Sequence, residues 1–260
     1  MRLTRCSRSQ DFCRAYSGSI DYAYSGIIYY NITSIGVYMY TIAVIAEKGG
    51  VGKTTVALAL AVAASKAGMR SAVIDTDPQA TASKWTDRRE SEFPWVVPTH
   101  AARLKVTIEQ AKEQGIDFLV IDTPPHAGTD AAEAARLSDA VVIPVEPHLF
   151  TLETLPKLQD LLKLAGDPPA FVLVNKANTQ GREGEQASQH IRTLGLSVCP
   201  VVLHHRAAHR HAGNVGQTAL EFDPDSKAAT EAIRLYTYTI KLVDNNRGIH
   251  GKAKPAIARA

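Results

Sequence analysis

The stretch Ile42 to Thr55, IAVIAEKGGVGKTT, constrains this chain more than any other. Its first part, Ile42 to Ile45, is an unbroken apolar run, the pattern of a buried strand. The run passes into a glycine-rich turn, and a helix is expected to begin near Lys53. Strand, glycine turn and helix in that order make a phosphate cradle. Gly49, Gly50 and Gly52 have no Cβ, so the loop can turn its backbone N–H groups inward onto phosphate oxygens, and the helix N-terminus adds the positive end of its dipole. In such a cradle Lys53 reaches the β and γ phosphates, and the Thr54 hydroxyl is placed to ligate Mg²⁺.

The match to G-x-x-x-x-G-K-[ST] is incomplete, because Glu47 stands where the first glycine belongs and a second lysine, Lys48, follows it. On the run Lys48 to Thr55, KGGVGKTT, the deviant Walker A sequence, the chain resembles the ParA/MinD family of dimeric ATPases. The resemblance implies that ATP is held by Lys48, Gly49, Gly50, Val51, Gly52, Lys53, Thr54 and Thr55. It also implies a homodimer with the nucleotides sandwiched between subunits, in which Lys48 touches the phosphates of the opposite subunit. Val73 to Thr81, VIDTDPQAT, matches the second family motif, whose second aspartate, here Asp77, sits beside the γ-phosphate. A carboxylate there orients or deprotonates the attacking water, so the catalytic roles fall to Lys48, Lys53 and Asp77.

Phe118 to Ile121 reads as an apolar strand ending in Asp122 and followed by Thr123, Pro124 and Pro125. A carboxylate at the carboxyl end of a parallel strand beside the loop holds Mg²⁺, which makes Asp122 and Thr54 the expected metal residues. Ala170 to Val174 leads into Asn175 and Lys176, the start of the guanine-reading pattern N-K-x-D, but position 178 is Asn. A carboxylate there accepts two hydrogen bonds from guanine, whereas an amide presents a donor as well. Adenine is therefore favoured, with Asn175 a base contact by resemblance.

A formal charge of +3 over 260 residues is mild, so any nucleic-acid contact must come from a local patch. Leu203 to Glu221 supplies a candidate, with His204, His205, Arg206, His209, Arg210 and His211. Three readings compete there: a metal pair at His205 and His209, a plain solvated surface, and a DNA-backbone patch. The third is favoured because the resemblance implies non-specific DNA-binding basic residues at this end of the sheet, Arg206 and Arg210. The pattern D-x-x-S-x-A-A of the family runs through Asp223, Ser226, Ala228 and Ala229, with Asp223 to Asp225 expected to cap a last helix reaching Val243.

The flanks differ from the middle. Residues 1–40 hold seven of the nine tyrosines, and residues 1–38 contain neither Lys nor Glu. The uncharged run Tyr22 to Ala46 raises the possibility of a membrane segment, but its last part must serve as the strand feeding the loop, and polar residues such as Asn31 and Thr33 break the rest. Residues 1–38 are expected to be a disordered or misassigned leader with translation beginning at Met39, residues 39–243 the ATPase domain, and residues 244–260 a flexible basic tail. That tail lacks the apolar face of an interfacial helix, so no membrane partner is expected. Cys6, Cys13 and Cys199 suit a reducing cytosol, and no cysteines lie between the core strands to bind a cluster like that of the nitrogenase iron protein.

Alternating strands and helices, with chemistry at strand ends, imply a P-loop α/β fold: a mostly parallel twisted sheet with helices on both faces. Expected strands are Ser71 to Ile74, Trp95 to Val97, Ala140 to Val145 and Leu196 to Val202, and expected helices Arg103 to Gln114, Thr151 to Leu164 and Gly184 to Thr193. Trp85 to Phe93 reads as a charged surface excursion, solvated or in dimer contact. The resemblance is to compact plasmid-type ParA proteins and implies a cytoplasmic, nucleoid-associated ATPase that segregates DNA. ATP closes the dimer onto DNA, and a ParB-type partner stimulates hydrolysis and release. A positioning ATPase acting on a membrane or a protein cluster is the competing class.

Overall fold

In the computed structural model, which describes residues 38–126 and 128–248, Ile42 to Val44 lie in one of the two central strands of a sheet and Ile45 directly follows it. Strands β1 (Tyr40–Val44), β2 (Ser71–Asp75), β3 (Trp95–Pro98), β4 (Phe118–Asp122), β5 (Ala140–Val145) and β6 (Ala170–Val174) pair in the order β3-β2-β4-β1-β5-β6. Every pairing is parallel. Helices α1 (Lys53–Lys66), α2 (Thr81–Thr86), α3 (Leu104–Glu113), α4 (Thr129–Arg136), α5 (Leu149–Leu152), α6 (Leu155–Leu164), α7 (Glu183–Thr193), α8 (Ala207–Asn214), α9 (Ala219–Phe222) and α10 (Lys227–Asn246) follow and connect them.

A parallel sheet is covered on both faces, and side chains alternate across it, so each strand feeds two cores. Ile42 and Val44 enter the core shared with α1 and α10, whereas Ala43 and Ile45 enter the opposite one with α4, α6 and α7. Helix α1 is apolar nearly all round, Val56 to Ala64 being buried without a break, because α2, α9 and α10 cover the sides the sheet does not. This burial holds the helix N-terminus against the carboxyl end of β1, where ligands of parallel α/β sheets bind.

The expected fold class holds, with local differences. Thr151 to Leu164 is two helices, because Pro156 lies in the first turn of α6, where its missing N–H costs nothing, and the chain turns before it. Leu196 to Val202 is no ladder strand among the described residues. It runs beside β6 with one parallel bridge, Val172 to Val198, and Pro200 has no N–H to extend it. The cap of α10 is Ser226, whose hydroxyl accepts from Ala229 N at 3.1 Å, and the helix runs to Asn246, three residues past the expected end. Helix α4 was not anticipated. The leader lies outside the described residues except for Tyr38, and the tail beyond Gly248 does too.

Two residues of Trp85 to Phe93 depart from the surface reading. Trp85 is buried and gives its indole N–H to Gln217 O at 3.0 Å. Arg89 has a side chain only 3% exposed and meets Glu221 of α9 at 2.6 Å, so these two residues staple the segment down while Asp87, Arg88, Glu90, Ser91 and Glu92 remain exposed as expected. The charge of Arg89 is partnered across 132 residues of sequence, which a local charge pattern does not reveal.

Candidate functional site

Parallel register brings the functional carboxylates level. Val44 at the end of β1 pairs with Asp122 at the end of β4, and Asp122 pairs with Asp75 at the end of β2. The chain leaving β1 then makes the glycine turn. Gly50 and Gly52 adopt φ of 81° and 92°, the left-handed region, and a Cβ on Gly52 would lie 2.4 Å from Asn175 Nδ2. Gly52 is also the N-cap of α1, and no side chain caps that helix, so its first N–H groups remain available to an anion.

Two lysines serve the loop differently. Lys53 is buried, its ammonium 3.5 Å from Lys48 O, and desolvation lowers its pKa against the pull of Asp122 and Asp77. Lys48 is exposed on the loop. Glu47, in the place of the usual first glycine, is paired with Lys157 of α6 at 2.5 Å, and its carbonyl accepts from His126 N at 3.0 Å.

Asp122 is 1% exposed, and neither carboxylate oxygen has a hydrogen-bond partner. Burial, reinforced by Asp75 and Asp77, pushes its pKa up to about 7, while the nearby Thr54 hydroxyl and Lys53 temper the rise without satisfying the oxygens. An orphaned buried carboxylate beside a hydroxyl is a hard oxygen donor set, and it fits Mg²⁺. When bound, that cation supplies charge to phosphate oxygens, and Asp122 and Thr54 are the residues that would hold it. Asp75 is the contrast: equally buried, it accepts from Asp77 N, Ser83 N and Ser83 Oγ, and so shapes the turn. Asp77 lies half-buried, its Oδ1 accepting from Gln79 N at 2.8 Å.

Beside the loop is a cavity of about 210 Å³ with Gly52, Thr55 and Asn175 on one wall and Leu203, Arg206 and His209 on the other. Asn175 is buried, and its amide nitrogen donates to Val51 O at 2.7 Å. The basic cluster divides. His204 and Arg206 both bond Glu231, at 2.8 and 2.6 Å, and Arg206 is 21% exposed. Burial pushes the Glu231 carboxyl up, but the bonds from Arg206 and His204 outweigh it and hold its pKa below the usual range. Arg210 is exposed on α8, so of the two expected DNA residues only Arg210 presents its guanidinium without an ion pair. Desolvation lowers the pKa of His209, and among the described residues no cluster of three His, Cys, Asp or Glu side chains gathers to hold a metal. Among the described residues no helix is long and apolar enough to cross a membrane.

Sequence reasoning missed Glu146 and treated Lys176 only as part of a guanine motif. Lys176 donates to Gly50 O and pairs with Glu146 at 2.9 Å. The adjacency of Asn175 and Lys176 was the one available signal.

Comparison with known proteins agrees with this geometry. Residues 42–219 match the family described as CobQ/CobB/MinD/ParA nucleotide binding domain. A maintenance of carboxysome distribution protein A from Gloeobacter kilaueensis is 28% identical over 198 residues, covering 75% of this chain and 90% of that protein. The chromosome-partitioning ATPase Soj of Thermus thermophilus is 25% identical over 230 residues, covering 75% and 92%. The septum site-determining protein MinD from Pyrococcus horikoshii, solved with Mg-ADP, superposes with a TM-score of 0.64 at 22% identity over 83% of this chain and all of that one.

Proposed function

The chain belongs to the CobQ/CobB/MinD/ParA nucleotide-binding family, and from that premise we propose that it is a Mg²⁺-dependent ATPase that dimerises on ATP and partitions DNA. The observation that carries the ATPase reading is Asp122: a buried, unpartnered carboxylate between Lys53 and Thr54, facing an uncapped helix N-terminus. A fold retains such a group at a cost in stability, and a bound cation with its phosphates offsets that cost.

In this reading Lys53 and the loop amides bind the phosphates, Asp77 orients the attacking water, and Lys48, exposed on the loop, reaches the nucleotide of a second copy. The cavity bounded by Asn175 and Leu203 receives the adenine. Closing the dimer doubles the surface offered by Arg210 and its neighbours, so weak phosphate contacts gain avidity, and hydrolysis, stimulated by a ParB-type partner, releases them. The protein is then a nucleoid-bound cytoplasmic one.

The experiment is gel filtration with MgATP and with a non-hydrolysable analogue: both the wild type and Asp77→Ala shift from monomer to dimer, and Asp77→Ala no longer hydrolyses ATP. A chain that stays monomeric with the analogue refutes the reading. Retention of the ATP-bound protein on DNA is expected to fall steeply with salt and to weaken in Arg210→Ala.

A second reading is positioning of a protein cargo. It is favoured by the likeness to the carboxysome distribution protein across 90% of that protein, and by the commitment of Arg206 to Glu231, which thins the basic patch. Dimers that form with ATP but do not bind DNA even at low salt would favour it.

A further inference from the structure

Two successive side chains at the end of β6 grip two successive carbonyls of the glycine loop. Asn175 Nδ2 donates to Val51 O at 2.7 Å, and Lys176 Nζ donates to Gly50 O. In a regular strand neighbouring side chains point to opposite faces, so both cannot reach one loop. Lys176 escapes that alternation because it adopts a φ of 56°, the left-handed region, which a lysine occupies only where its surroundings enforce it. They do so here: Asn175 N donates to Val145 O at 2.8 Å before the kink, and Ala177 bridges His204 after it. The Lys176 ammonium is neutralised by Glu146, just past β5, at 2.9 Å.

A trans peptide points its C=O and the following N–H in opposite directions. Holding the carbonyls of Gly50 and Val51 toward β6 therefore turns the N–H groups of Val51 and Gly52 to the other side of the loop. We propose that Lys176, held by Glu146, is a positioning residue that with Asn175 clamps the loop with its amides already facing the phosphate chain, and that Lys176 neither reads the base nor touches the phosphates. The clamp explains why Asn175 and Lys176 are adjacent in a chain whose position 178 does not suit guanine. It also places a second demand on Gly52, since any side chain there strikes Asn175. Preorganised amides bind an anion without the cost of ordering a flexible glycine loop at the moment of binding.

The inference rests on the ATPase reading only for what the loop holds, and the test separates the two. In the ligand-free full chain, NMR order parameters for the Val51 and Gly52 amides are expected near the rigid value of about 0.85, falling below about 0.6 in Lys176→Met. With MgADP and a non-hydrolysable ATP analogue, Lys176→Met weakens both affinities about tenfold, as loss of an outer-sphere support does. Lys176→Arg recovers most of that loss, and Glu146→Gln shows a smaller one. In turnover the penalty falls on KM rather than kcat. Unchanged loop order parameters in Lys176→Met would overturn the clamp, and so would a fall in kcat at unchanged KM, which would put the ammonium on the transferring phosphoryl group. The order parameters are measured without nucleotide, so they decide the clamp even if the chain binds no ATP.

Discussion

Arg89 and Asp122 are buried to a similar depth, one between α2 and α9 and the other at the end of β4, and the fold treats them in opposite ways. Arg89 places its guanidinium on Phe93 O, Gly216 O and both oxygens of Glu221. Asp122 has no hydrogen-bond partner for either oxygen. Burying a charge is tolerable when every donor or acceptor is matched and costly when none is. A matched buried charge therefore belongs to the architecture, and an orphaned one marks where a ligand is meant to complete the structure.

The substitution that breaks this comparison most is Asp122→Asn. ATP hydrolysis is expected to fall on the order of 10²-fold or more, because the metal charge at the phosphates is lost. The same variant, free of Mg²⁺ and nucleotide, is expected to be more stable. Moving the folded pKa from 3.8 to about 7 costs about 4 kcal/mol of charge burial. Against that, the unsatisfied amide gives back about 1–3 kcal/mol, for a net gain of about 2 kcal/mol at pH 8. The folded pKa lies above the unfolded one, so the folded wild type holds the proton more tightly. Its stability therefore falls as pH rises from about 4 to about 7. The Asn variant lacks that slope, so urea melts should show a gain absent near pH 4 and complete above pH 7.

Arg89→Met tests the opposite pole. It strands Glu221 in a buried site and is expected to cost about 4 kcal/mol, a drop of about 10 °C in Tm, with nucleotide affinity little changed if α2 stays in place. Trp85→Phe sharpens the picture at lower amplitude. It keeps most of the ring but leaves Gln217 O without its donor, for about 1–2 kcal/mol. The smallest effect is Ser226→Ala, which removes the cap of α10, a part-buried hydrogen bond outside both poles. It is expected to cost about 1 kcal/mol and gives the scale for the others.

Much of the site could be read in advance because its parts are local. The strand β1, the turn and the start of α1 are contiguous, and their periodicity and glycines announce them. Asp75 and Asp122 each end an apolar strand and Asp77 follows two residues after Asp75, so their position at the carboxyl edge follows from strand direction alone. The misreadings cluster where charge was judged by sequence neighbours. Arg89 looked solvated because it stands among four acidic or basic residues in succession, Asp87 to Glu90, while its partner lies 132 residues away. Arg206 looked like a free cation because Glu231 is 25 residues further on, on α10.

By itself, then, the amino-acid order determined the nucleotide cradle, the parallel α/β class and the succession of its acidic strand ends. Those depend on backbone freedom, apolar spacing and chain direction, which act over a few residues. Only the tertiary structure decided which charges are spent and which are left open: Arg89 on Glu221, Arg206 on Glu231, Lys176 on Glu146 and the loop, and Asp122 on nothing. The reason is that desolvation and pairing depend on what the crossovers bring within about 4 Å, and that distance is unrelated to separation along the chain.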